Sequence, residues 1–174
     1  MSGNILNHGV LKASIEEAAK GKGITLNTDG MFSVFRADST IVVAPIREFD
    51  TSPATELKHG VNSAYAYIDS PKRNVPAGFY TLRVSAEAVK VGTVAGKVEY
   101  VDSHGKAVKT APVEFDIKSL TLPNPPAFPH SIVSVGNHAD PQTPVAGGVT
   151  PAFQTDDPII VCCPNGYCWF ERPK

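Results

Sequence analysis

The spacing of apolar positions changes once along the chain, near Gly23. Between 11 and 20 they recur at helical intervals, with Leu11, Ile15, Ala18 and Ala19 on one side. Gly21 and Gly23 follow and supply a stop, because glycine adopts the backbone conformations that end a helix at no steric cost. A helix of about three turns is marginal alone, so the pattern predicts that Leu11 and Ile15 pack on a sheet.

Beyond Gly23 the chain becomes short runs of β-branched and aromatic residues separated by Gly, Pro, Asn and Asp. These predict strands over 31–36, 41–46, 63–68, 79–86, 94–101 and 113–117. Phe32, Val34, Tyr65 and Tyr67 alternate with smaller or polar neighbours, which turns one face inward and the other toward water. Asp102-Ser103-His104-Gly105-Lys106 predicts a hairpin loop between 97–101 and a strand from Ala107 to Ile117, with a break at Pro112. No long helices separate the strands, so parallel crossovers are unavailable and the pairing must be antiparallel. The expected fold is mainly β, an antiparallel two-sheet sandwich with one short N-terminal helix. An open barrel is the competing arrangement.

From Thr121 the composition shifts. Pro123, Pro125, Pro126 and Pro129 remove backbone donors and fix φ, so an extended linker or edge-hugging arm is expected. Apolar runs return at 132–135 and 159–163 and read as late strands. The expected organisation is a helical segment at 1–24, a sandwich at 25–120 and a Pro/Gly-rich arm at 121–174 with a cysteine-rich end, packed on the sandwich or hanging free. No fixed-period repeat occurs.

Composition narrows the field. Of 174 residues, 42% are hydrophobic and 19% charged, which argues for a folded core. Lys and Arg number 16 against 17 for Asp and Glu, without long runs of one sign, so a nucleic-acid partner is not expected. No stretch is apolar enough to span a bilayer, and the first residues lack a signal core. Localisation is left open: the chain reads as cytoplasmic, and secretion by a route without a cleaved leader gives the same appearance.

Pro76-Ala77-Gly78-Phe79-Tyr80-Thr81-Leu82-Arg83-Val84 resembles the turn and strand of immunoglobulin-like and fibronectin type III-like modules, with Gly78, Tyr80 and Leu82 on the characteristic positions. The resemblance implies a tyrosine corner, in which the Tyr80 hydroxyl bonds to upstream backbone while Leu82 points into the core. It also implies a binding or scaffolding role. The chain departs from the antibody pattern in having its single tryptophan at Trp169 and no cysteine pair across the sheets.

The locally unusual chemistry lies at the end. Cys162, Cys163 and Cys168 are the only cysteines, and Pro164-Asn165-Gly166 between them is a strong turn signal. A final hairpin could hold reduced thiols, or a disulfide of Cys168 with Cys162 or Cys163, of which Cys163 and Cys168 are the suggested pair. The three thiolates with His130 or His138 could also ligate a metal, although the paired spacing of zinc sites is missing. A reactive thiol is the fourth reading, without the Cys-x-x-Cys spacing that favours it. No cofactor is expected. Asp102, Ser103 and His104 read as turn residues rather than a triad, and Asp156-Asp157 as solvated turn residues rather than a cation site. Neither 92–97 nor 21–23 fits a phosphate or dinucleotide loop.

Tyr65, Tyr67, Tyr167 and Trp169 are candidate binding-surface aromatics, offering flat apolar area with a polar edge, or else core residues. The leading expectation is a non-catalytic module that binds a protein partner or its own copy. A small metal- or thiol-dependent enzyme using the C-terminal cysteines, and a carbohydrate-binding module, are the alternatives.

Overall fold

The computed structural model describes residues 8–36, 39–118, 120, 131–135, 159–162 and 167–171. Its helix, α1 (His8–Lys20), buries Ile15 and Ala19, four residues apart on one face, while Glu16, Glu17 and Lys20 face solvent. The helix ends in a Schellman-type cap. Ile24 N–H donates to the Ala19 carbonyl at 2.9 Å and Gly23 N–H to that of Lys20 at 3.0 Å. Gly23 sits at φ 75°, where a side chain would be strained, and so turns the chain toward the sheet.

Nine strands follow among the described residues: β1 (Phe32–Arg36), β2 (Ser39–Pro45), β3 (Val61–Asp69), β4 (Gly78–Ala86), β5 (Gly92–Val101), β6 (Ala107–Ile117), β7 (Ile132–Val135), β8 (Ile159–Cys162) and β9 (Tyr167–Glu171). They form one antiparallel sheet in the order β1-β2-β3-β4-β5-β6-β9-β8-β7. β1 to β6 make one meander, each strand pairing with the next. β7, β8 and β9 make a second. A single ladder joins the two, Val113 to Ile117 of β6 against Glu171 to Tyr167 of β9.

The sheet curls until β7, at one edge, packs near β1 and β2 at the other. A division into two separate facing sheets, expected from the sequence, is not seen among the described strands. The apolar faces are hidden by the curl of one sheet over its own interior, as in a barrel. Alternate residues of successive strands converge there: Ile41 and Val43, Ala64 and Ile68, Leu82 and Val84, Val98 and Tyr100, Phe115 and Ile117, Trp169 and Tyr167.

β2 is covered on both sides. Ile41 and Val43 face the interior, whereas Val42 and Ala44 face α1 together with Tyr65. That double burial is why the segment reads as an unbroken apolar run. Between β2 and β3 the 3-10 turns Arg47–Thr51 and Ala54–Lys58 fold across one end of the interior and insert Phe49, Ala54 and Leu57. Asp50 in the first turn ties this plug down. It accepts the Ser131 N–H at 2.8 Å, just before β7, and the Asn27 side-chain amide at 3.1 Å, just before β1.

Two irregularities shape the curl. The register between β3 and β4 jumps from Asn62↔Arg83 to Ala64↔Leu82, so Ser63 is the extra residue of a bulge that turns its side chain inward. In β5, Gly96 lies under the Phe115 ring: a Cβ there would stand 2.2 Å from the Ser85 carbonyl oxygen and 2.5 Å from Phe115 Cε2. Only a residue without a side chain lets β4, β5 and β6 approach so closely. Gly96→Val is therefore expected to destabilise the fold by about 2–3 kcal/mol, as overpacking of a filled core does, read as a lower denaturant midpoint. Unchanged stability would show that the close approach is not needed.

Candidate functional site

The densest buried chemistry is a polar cluster at the end of the interior opposite the plug. After β3 the chain makes the 3-10 turn Pro71–Arg73 and leaves it through Asn74 at φ 60°. This turn sends Arg73, 4% exposed, back into the molecule. Its Nη2 donates to Tyr100 Oη on β5 at 2.6 Å and to Glu171 Oε1 on β9 at 2.7 Å. Tyr100 Oη donates in turn to Glu171 Oε2, and Glu171 Oε1 also accepts the backbone N–H of Ile159, at the start of β8, at 3.0 Å. Lys109 on β6 closes the cluster from outside. Its Nζ donates to the Arg73 carbonyl at 2.8 Å and lies 5.3 Å from the centre of the Tyr100 ring.

Burial of Tyr100 and the Glu171 carboxylate beside it push the phenol pKa up, while Arg73 pulls the other way and loses. Burial alone would lower the Arg73 pKa, but Tyr100 and Glu171 outweigh it and leave it raised. Arg73 and Glu171 thus form a buried ion pair whose hydrogen bonds join β5, β8, β9 and the turn after β3. These groups spend their bonds on one another, which is the chemistry of a clamp.

A second polar contact crosses the interior. Trp169 Nε1 on β9 donates to Ser63 Oγ on β3 at 2.7 Å, so the bulge at Ser63 supplies the partner that a buried indole requires. Beside it the Tyr167 ring meets Phe49 of the plug edge-on, with centroids 5.5 Å apart.

The candidate binding aromatics therefore do not share a surface. Trp169 and Tyr167 fill the interior, and Tyr65, 1% exposed, lies beneath α1. Tyr67 keeps partial exposure. It faces Phe79 directly across β3 and β4, ring centroids 5.1 Å apart, and Phe79 stacks on Tyr65 at 5.9 Å. Burial, then Asp69, raises the Tyr67 pKa. The result is a half-buried aromatic pair on the outer face of the sheet, at the margin of the region that α1 covers. Phe79 is among the aromatics that the sequence offers for a binding face, whereas Arg73 has no signal there beyond its residue type, since only the turn gives it neighbours.

Cys168 on β9 is disulfide-bonded, and the other cysteines of the chain are Cys162 and Cys163. Cys162 is the register partner of Cys168 across β8 and β9. Cys163, His130, His138, Asp156 and Asp157 lie outside the described residues. Among those described, no group of three or more His, Cys, Asp or Glu side chains is placed to hold a metal ion. In the β5–β6 loop Asp102 Oδ1 accepts the N–H groups of His104 at 2.9 Å and Lys106 at 3.0 Å. The Lys106 amide is the main cause of its lowered pKa. Asp102 is engaged in holding the turn, and His104 is exposed. A cleft of about 280 Å³ between the end of α1 and the turn after β2 is lined by Ile24, Ile46, Arg47, Glu48 and Asn62.

Among the described residues no helix is long and apolar enough to cross a membrane. Comparison of the chain with protein families, curated proteins and solved structures finds no match.

Two outcomes follow from the clamp. Glu171→Leu leaves the Arg73 charge buried without its counter-ion and should destabilise the protein by about 3–5 kcal/mol, whereas Arg73→Met with Glu171→Leu should regain most of that loss. Denaturant melts of the three variants check this, and equal losses in the single and double variants would remove the ion pair from the account. Tyr100 gives a pH signature. Its folded pKa lies above the ordinary 10.0, so its contribution to stability is complete below about pH 10 and is lost as pH rises beyond it. Absorbance of ionised tyrosine should therefore show a fraction that appears only together with alkaline unfolding. Full ionisation before the fold melts would contradict the burial.

Proposed function

We propose that the protein is a non-catalytic interaction module that binds a protein partner, or a second copy of itself, through the outer face of its sheet. The observation that carries this reading is the Tyr67–Phe79 pair, two half-buried rings in register on β3 and β4 beside α1. Aromatic rings fixed by their neighbours present apolar area at little cost in conformational entropy, which is why they anchor interfaces.

The β6 edge at 107–112 supports the face over the edge. Among the described residues no strand pairs with the outer side of 107–112. That stretch carries a bulge at Val108, a lysine at 109 turned back over Tyr100, and Pro112. These devices discourage strand addition.

The sandwich and the immunoglobulin-like resemblance enter as part of this proposal. The two halves of the curled sheet face each other across the interior where Trp169 meets Ser63, as the layers of a sandwich do. Tyr80 Oη donates to the Pro76 carbonyl and Leu82 is buried, which fits the tyrosine-corner reading of 76–84. The thiol- or metal-dependent alternative is disfavoured by the Cys168 disulfide, which withholds two of the chain's three thiolates.

Sedimentation velocity over a range of concentrations, with a photo-crosslinking residue at position 67 or at exposed position 95 in cells that make the protein, tests the proposal. Association that Tyr67→Lys weakens at least tenfold, or a discrete adduct formed from position 67 and not from 95, is the expected result. A strict monomer with equal capture at both positions would end it. Glycan binding lost in Tyr67→Ala would move the reading to a carbohydrate-binding module.

A further inference from the structure

The sheet is two local meanders joined at one non-sequential ladder, and the second meander has the properties of a unit. β7, β8 and β9 pair in chain order with one another. The disulfide at Cys168 is internal to the same part of the chain, because the other cysteines are Cys162 and Cys163. No covalent bond other than the backbone therefore ties this unit to β1–β6. It is attached through the β6–β9 ladder, through β7 packed near β1 and β2 with Ser131 N–H on Asp50, and through buried anchors: Trp169 on Ser63, Glu171 on Arg73 and Tyr100, and Tyr167 on Phe49.

The receiving edge is divided. The protective bulge, lysine and proline occupy 107–112, and the ladder to β9 begins immediately afterwards at Val113. The edge at 113–117 lacks such devices and leaves Val113, Phe115 and Ile117 on the interior side, an apolar row that needs a strand beside it. Residues 119–130 lead from this ladder to β7 and contain four prolines. A stretch of that length can span at most about 40 Å, enough to reach a neighbouring molecule.

We infer that β7–β9 can be exchanged between two copies of this chain, each unit closing the other copy's β1–β6 sheet with the same ladder and the same buried anchors. Every contact of the closed monomer is then made once per chain, and the two copies are related by a two-fold axis. The exchange is separate from the outer-face binding proposed above and leaves Tyr67 and Phe79 in place. It requires β9 to leave β6, so the dimer forms on folding at high concentration and is slow to revert on dilution.

The test is to unfold the protein with its disulfide intact and refold it over a range of concentrations, followed by size exclusion with light scattering. A dimer whose share rises with concentration during refolding, and which persists after dilution, is expected. Glu114 and Phe170 are register partners across β6 and β9, so Glu114→Cys with Phe170→Cys reports who pairs with whom. The variant is refolded from an equal mixture of isotope-labelled and unlabelled chains, and the disulfide-linked peptides of the dimer fraction are weighed. Mixed-isotope 114–170 linkages support exchange. A dimer with only same-chain linkages overturns it while leaving the outer-face reading intact, and monomer alone at every refolding concentration overturns it outright. Tyr67→Lys, which removes outer-face association, should leave the exchanged dimer unchanged, and its disappearance in that variant would also count against exchange.

Discussion

One sheet has to hide its own apolar face. With no second layer among the described strands, the only way to remove Ile41, Leu82, Val98, Phe115 and Trp169 from water together is to bend the sheet until its halves meet. Bending crowds the concave side. The crowding explains why Gly96 lies under Phe115, where even a methyl group has no room, and why the chain inserts an extra residue at Ser63. The two open ends that a curled sheet leaves are closed by different chemistry. At one end the apolar turns around Phe49 and Leu57 act as a plug, and at the other Arg73 is drawn into a polar clamp.

The clamp also fixes register. Side chains alternate along β9, so a slip of one residue against β6 would turn Tyr167, Trp169 and Glu171 to solvent and bring Cys168 and Phe170 inside. An apolar core tolerates such errors when volumes are similar. A buried carboxylate with three fitted donors does not, because in the slipped state Arg73 is left without its counter-ion. Trp169 adds the same kind of constraint through one hydrogen bond to Ser63. Burial of charge here gives uniqueness to a strand whose pairing is distant in sequence and would otherwise be set by shape alone.

Local pattern made most of the strands legible. The runs at 31–36, 41–46, 79–86 and 94–101 lie within a residue or two of β1, β2, β4 and β5, because alternation and turn residues are local signals. The turn at Gly23 and the β5–β6 hairpin were readable for the same reason. The curl was not: a sandwich and a barrel bury the same alternating faces, and the difference lies in which distant strands pair. β9 shows this most clearly, since its hairpin with β8 is local but its place beside β6 is not. The candidate aromatics divide for a similar reason. Tyr67 and Trp169 look alike in sequence, and only the direction of the strand's pleat puts one at the surface and the other in the interior. Arg73, in a short turn among polar residues, gave no hint of burial.

Division of the sheet's two faces then limits where recognition can occur. The inner face is consumed by closure, down to its polar groups. On the outer face α1 covers Val42, Ala44 and Tyr65, and Tyr67 and Phe79 pack at the rim of that cluster and keep partial exposure. Farther along the outer face β4 and β5 offer polar side chains, Thr81, Arg83, Lys97 and Glu99, of which Arg83 bonds Asn62 and the His59 carbonyl and Lys97 pairs with Glu99. Apolar area that is rigid, partly exposed and already ordered is the surface from which a partner gains most on binding, and on the outer face of β3 to β5 it is concentrated at the margin of α1.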